Sequence, residues 1–161
     1  MVTNDDRAGF VPGVRLAVDV GTVRIGVASC DPAGLLASPV VTVLRDRGRD
    51  ADTPAARDLA ELADLVEEYH PVEVVVGLPV TLSGQESYAA RDVRAYAARL
   101  ADRIAPVPIV FADERMSTAV ATRRLSDRGV RGKRRRAVVD QAAAVEILQS
   151  WLDAHRRRTD A

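Results

Sequence analysis

The stretch VRLAVDVGTVRIGVAS, residues 14–29, decides how the rest of the chain is read. Val14 to Val20 has the pattern of a buried strand, with Leu16, Val18 and Val20 in an almost wholly apolar run. Asp19 to Val23 reads as a turn around Gly21, and Arg24 to Ser29 as a second strand. A link this short joins antiparallel neighbours. After a loop at Asp31 to Gly34, Ser38 to Leu44 reads as a third strand that extends the meander.

Downstream the pattern changes. Thr53-Pro54 reads as a helix start, and Leu59, Leu62, Ala63, Val66 and Tyr69 follow at helical spacing, with Pro71 as the stop. Val74 to Gly77 is a short apolar strand of the kind covered on both faces. Ser83 and Glu86 have capping-box spacing ahead of a second helix, whose stripe is Ala89, Val93, Tyr96, Leu100 and Ile104. Pro106 ends it, and Val107 to Ala112 is a fifth strand. A short helix is expected from about Ser117 to Arg128, then a basic loop, then a last helix over about Ala137 to Ala154. The order β-β-β-α-β-α-β-α-α predicts an α/β fold, a mixed five-stranded sheet with helices on both faces.

With 161 residues the chain is sized for one domain. The expected organisation is a flexible N-terminal tail over 1–13, a domain over 14–154 and a basic tail over 155–161. Hydrophobic residues make up 47% and charged ones 29%, which excludes a disordered chain. The single cysteine, Cys30, excludes an intrachain disulfide and a thiolate zinc cluster. No run approaches the roughly 18 apolar residues of a membrane span, and residues 1–13 do not read as a signal peptide. The expected compartment is the cytoplasm.

Four carboxylates stand in or beside apolar runs, where an ionised group is costly unless compensated. Asp19 lies between Val18 and Val20; it reads either as a turn former or as a site residue. Asp113 and Glu114 follow the fifth strand, where α/β sheets place their sites, or else form a solvated strand end beside Arg115. Asp140 falls on one helical stripe with Ala144, Ile147 and Trp151, so it is expected to face the sheet. Converging acids repel one another unless a cation binds them, and hard oxygen donors suit Mg²⁺ or Mn²⁺.

Charge is polarised along the chain, although 23 basic residues balance 23 acidic ones. Residues 115–136 hold nine basic side chains and one acid, Asp127, whereas 46–73 hold nine acids and three arginines. Arg131, Lys133, Arg134, Arg135 and Arg136 precede Asp140, where they would hold a phosphate backbone. Aromatics at 4% argue against base stacking as the main mode of binding.

Four segments then carry a resemblance. They are Asp19 to Ala28, Val75 to Pro79 with its Gly-Leu-Pro, Phe111 to Thr118 with Asp113-Glu114-Arg115, and Asp140 to Leu148. In this order, over roughly Arg15 to Leu152, they resemble the YqgF/RuvX family. Its members are described both as Holliday junction resolvases and as pre-16S rRNA nucleases.

The resemblance implies a ribonuclease-H-like fold and a metal-dependent nuclease, with Asp19, Glu114 and Asp140 catalytic and metal-binding and Asp113 a possible neighbour. Arg24, Arg115, Ser117 and Thr118 are then candidate phosphate contacts, along with the basic run. The favoured expectation is 5′-end processing of precursor 16S rRNA; resolution of branched DNA and a non-catalytic nucleic-acid-binding or ribosome-assembly module are the alternatives. Asp19-Val-Gly-Thr also resembles the phosphate loop of actin-like ATPases, but those need two such domains to enclose a nucleotide.

Overall fold

A computed structural model describes residues 9–79, 83, 85–114 and 133–160. Five strands, β1 (Arg15–Val20), β2 (Arg24–Cys30), β3 (Ala37–Leu44), β4 (Glu73–Leu78) and β5 (Ile109–Asp113), form one sheet in the order β3-β2-β1-β4-β5. β1, β2 and β3 pair antiparallel; β4 lies parallel to both β1 and β5. The expected mixed sheet is present, with helices on both faces. Among the described residues no helix is long and apolar enough to cross a membrane.

Strand alternation divides the core in two. Leu16, Val18, Ile25, Val27, Val74 and Val76 face α1 (Arg57–Tyr69) and α2 (Tyr88–Ile104). Ala17, Ala28 and Val75 face α3 (Lys133–Asp160), which packs Ala143, Ala144, Ile147, Leu148, Trp151 and Leu152 against them. The sheet residues on the α3 side are small, so a helix can lie close there.

α3 is fastened to β3 at two points. Thr42 Oγ1 donates to Ala137 O at 2.9 Å and accepts from Gln141 Nε2 at 3.2 Å. Further along, Gln149 Oε1 accepts from Ala37 N and its Nε2 donates to Leu35 O, both at 2.9 Å.

Some boundaries differ from the sequence reading. α1 starts at Arg57, because Thr53 Oγ1 is engaged in its own turn with Asp50 O and Ala55 N, while the Asp46 carboxylate takes Arg57 N at 3.0 Å. α2 starts at Tyr88 with Ser87 as its cap, and Glu86 pairs with Arg94. Its inward stripe runs through Ala90, and Ala89 is exposed. α3 begins at Lys133 and runs to Asp160, so the end of the basic loop and the 155–160 run are helical. The expected short helix at 117–128 lies outside the described residues.

Two glycines on the α3 face have no room for a side chain. A Cβ on Gly26 would fall 2.1 Å from Asp140 O and 2.6 Å from Asp140 C, both backbone atoms. A Cβ on Gly77 would meet the Ile147 Cδ1 methyl at 2.7 Å and Glu114 Oε1 at 3.0 Å, the ends of movable side chains. Gly26→Ala is therefore expected to cost about 2 kcal/mol or more, because a helix backbone must shift. Gly77→Ala should cost less than half of that. Urea unfolding of the two variants measures the difference.

Candidate active site

Asp19 is next to last in β1 and pairs with Gly26 of β2. On its other side Val18 pairs with Val76, one residue before Gly77. The carboxylate thus stands between two glycine-bearing strands, on the α3 face, fully buried. Asp140 lies over Gly26 on α3 and is 3% exposed; Glu114 reaches over Gly77 and is 6% exposed. Three carboxylates from β1, the end of β5 and α3 therefore gather on one face, around the ends of β1 and β4.

Asp113 takes the opposite direction. It pairs with Leu78, and alternation after Phe111 and Ala112 puts it on the α1–α2 face. Of the adjacent acids, Glu114 is the one that shares a face with Asp19 and Asp140.

Arg24 opens β2 on the same face and donates from Nε to Asp140 Oδ2 at 2.6 Å. Beside this pair is a cleft of about 430 Å³, lined by Thr22, Arg24, Tyr88, Glu114, Arg136 and Asp140 among others. Its two cationic side chains, Arg24 and Arg136, and three anionic ones, Asp92, Glu114 and Asp140, come from β2, α2, α3 and the end of β5. Arg115, Ser117, Thr118 and Arg131 lie outside the described residues. Lys133, Arg134 and Arg135 are in the first turn of α3, and their side chains are likewise outside the description.

The sequence reading missed two residues around this cleft. Arg45, just after β3, holds the β1–β2 turn: its Nη1 donates to Gly21 O at 3.2 Å and to Asp92 Oδ2 of α2 at 3.1 Å, and its backbone N donates to Val23 O at 2.9 Å. No local pattern marks it, because its partners come from two distant segments, the β1–β2 turn and α2. Tyr88 lines the cleft from the first turn of α2. Its signal was available: an aromatic outside the apolar stripe of its helix.

Other titratable groups are less suited to chemistry. Burial pushes the Cys30 thiol up, away from the reactive thiolate, and it lies at the far end of the sheet. Burial, then the charge of Asp58, pushes the Tyr96 phenol up, so it stays neutral.

The donor set fits a hard divalent cation, since it offers carboxylate oxygens and neither thiolate nor imidazole. Among the described residues no three such side chains close on one point in this arrangement. Mg²⁺-type ions do not need that, because one or two carboxylates with phosphate oxygens and waters suffice.

The comparisons with known proteins agree with this geometry. The fold aligns with Thermus thermophilus RuvC solved in complex with a Holliday junction substrate, at TM-score 0.54 and 15% identity, covering 91% of this chain and 97% of that one. The likeness is one of fold: ribonuclease-H-like. A relative from Streptomyces avermitilis named "Putative pre-16S rRNA nuclease" is 56% identical over 148 residues, covering 92% of this chain and 90% of its own. One of the same name from Rhodococcus opacus is 50% identical over 149 residues, covering 92% and 82%.

Fold, acids and relatives together define a nuclease of the ribonuclease-H-like class, in which divalent metal dependence is general. The family model described as RuvX, Holliday junction resolvase, matches residues 13–154, and the chain belongs to that family.

The Arg24–Asp140 pair is testable by itself. Arg24→Ala leaves the buried Asp140 carboxylate without its guanidinium and should cost roughly 2 kcal/mol in urea unfolding with chelator present. Adding Asp140→Asn to that variant removes the orphaned charge and should recover part of the loss. A double variant no better than the single one would show that the pair is not coupled.

Proposed function

We propose that this chain hydrolyses phosphodiester bonds in structured nucleic acid, with precursor 16S rRNA, trimmed at its 5′ end in the cytoplasm, as the substrate. One observation carries the chemistry: two buried carboxylates, Glu114 and Asp140, line one cleft with Arg24 and Arg136, and a third, Asp19, is buried on the same face of the sheet. The choice of rRNA is supported by the names of relatives at 50–56% identity. A second reading, four-way DNA junctions, is favoured by the description of the family.

Asp19, Glu114 and Asp140 are the ligands in this reading. Asp19 supplies a rigid oxygen from within the sheet, and Glu114 and Asp140 supply theirs from the rim. A divalent ion, Mg²⁺ or Mn²⁺, would be held by these carboxylates and, when bound, would supply Lewis acidity and charge neutralisation for hydrolysis. Arg24 holds Asp140 in orientation and meets a substrate phosphate from the wall of the cleft. Arg136 meets the backbone from the first turn of α3, and Arg115, Ser117, Thr118, Arg131, Lys133, Arg134 and Arg135 extend the contact. Arg45 acts as a positioning residue, fixing the turn that follows Asp19. Contacts to phosphates position a strand without reading its sequence, so structure rather than base identity selects the substrate.

Asp19→Asn should lower cleavage at least a hundredfold with Mn²⁺ while leaving binding within about threefold, as removal of a ligand oxygen but no phosphate contact requires. Cleavage at the wild-type rate would remove Asp19 from the mechanism. Precursor 16S rRNA and a four-way DNA junction, offered side by side, separate the two substrates; strong preference for the junction would overturn the rRNA reading.

A further inference from the structure

The chain has six aromatic residues. Five are packed in or against the core: Tyr96, Tyr69 and Phe111 on the α1–α2 face, Trp151 and Phe10 on the α3 face. Tyr96 is 1% exposed, whereas Tyr88 is 83% exposed. A single exposed apolar side chain is ordinary on a protein surface. Its placement is what distinguishes this one, since the ring lines the cleft that also contains Glu114, Asp140 and the two arginines.

We infer that Tyr88 is a stacking platform for one unpaired base next to the scissile phosphate, and so restricts the substrate to a strand with an unpaired nucleotide at the cut. The inference rests on the reading of this cleft as the site of cleavage. Three arguments lead to it. The ring makes little use of burial, so packing does not account for a large amphipathic side chain in the first turn of α2. The charged cleft side chains Arg24, Glu114, Arg136 and Asp140 supply what a phosphate or its metal needs, and Tyr88, the one aromatic in the lining, offers a π-face to the base that the phosphate carries. Stacking on an aromatic is tolerant of base identity, in keeping with a site otherwise built for backbone contacts. Within a duplex both faces of a base are already covered, so the contact requires a base that is unpaired or drawn out of the stack. The small aromatic content thus bears on the number of stacks, which is one.

The test uses the full chain carrying Asp19→Asn, so that strands stay intact. 2-Aminopurine is placed at successive positions of a short RNA strand and of the matching DNA strand, each presented single and fully duplexed. Quenching is expected at one position of the single strand, lost on Tyr88→Ala and kept on Tyr88→Phe. In the otherwise wild-type chain Tyr88→Ala should raise KM about tenfold with a smaller change in kcat, and Tyr88→Phe should stay near wild type. Exposure of the ring means that Tyr88→Ala should melt within a degree or two of wild type, which keeps loss of fold apart from loss of contact.

The inference is overturned if Tyr88→Ala quenches and cleaves as the parent does, if Tyr88→Phe loses as much as Tyr88→Ala, or if the duplex is quenched equally. Tyr88-dependent quenching in a protein whose parent cleaves neither nucleic acid would support the contact and sink the nuclease reading instead.

Discussion

The contact on which the site depends is a backbone against a backbone: the carbonyl of Asp140 over the bare Cα of Gly26. A methyl group there would lie 2.1 Å from that oxygen, far inside van der Waals contact. The missing side chain lets α3 settle on β2 at the point where β2 pairs with Asp19. Gly77 makes the corresponding room on β4 for Glu114. Asp140 and Glu114 can lie over the strands that flank Asp19 because the sheet is kept thin on either side of β1. Elsewhere on this face alanines serve the same purpose, with Ala17, Ala28, Ala143 and Ala144 all buried.

That close approach has an electrostatic consequence. Three carboxylates with 6% exposure or less would be costly if simply enclosed. Arg24 offsets part of the cost, and it does so from the first residue of β2, beside the cleft, where its guanidinium is still 17% exposed. The compensating charge is thus at the edge of the site and within reach of an incoming phosphate. The same logic runs through the basic first turn of α3. Cations at a helix N-terminus oppose the helix dipole, so Lys133 to Arg136 are not there for the stability of the helix.

Much of this could be read from the chain. The apolar runs at residues 14–29 and 74–77 led to the strands and their pairing, and the helical stripe through Asp140, Ala144, Ile147 and Trp151 placed a carboxylate toward the sheet. Those signals are local and periodic. What escaped the reading was settled by distant partners. The helix starts moved because Asp46, eleven residues away, serves Arg57, and because Ser87 caps α2 while Glu86 pairs with Arg94. The opposite orientations of Asp113 and Glu114 follow from the register with Leu78 and from the space over Gly77, neither of which a dipeptide reveals. Arg45 gathers Gly21, Val23 and Asp92 through tertiary contacts alone.

The order in which the chain is made has a bearing on when it can act. Asp140 and Arg24 are 116 residues apart, and α3 leaves the ribosome after every strand has emerged. A nascent chain that has completed β5 holds Asp19 and Glu114 but has nothing over Gly26, and the α3 face of its sheet is bare. The helix that covers this face is the one that brings Asp140. The fold is completed and Asp19, Glu114 and Asp140 come to share one face in a single late docking event, and no chain shorter than 140 residues carries all three acids.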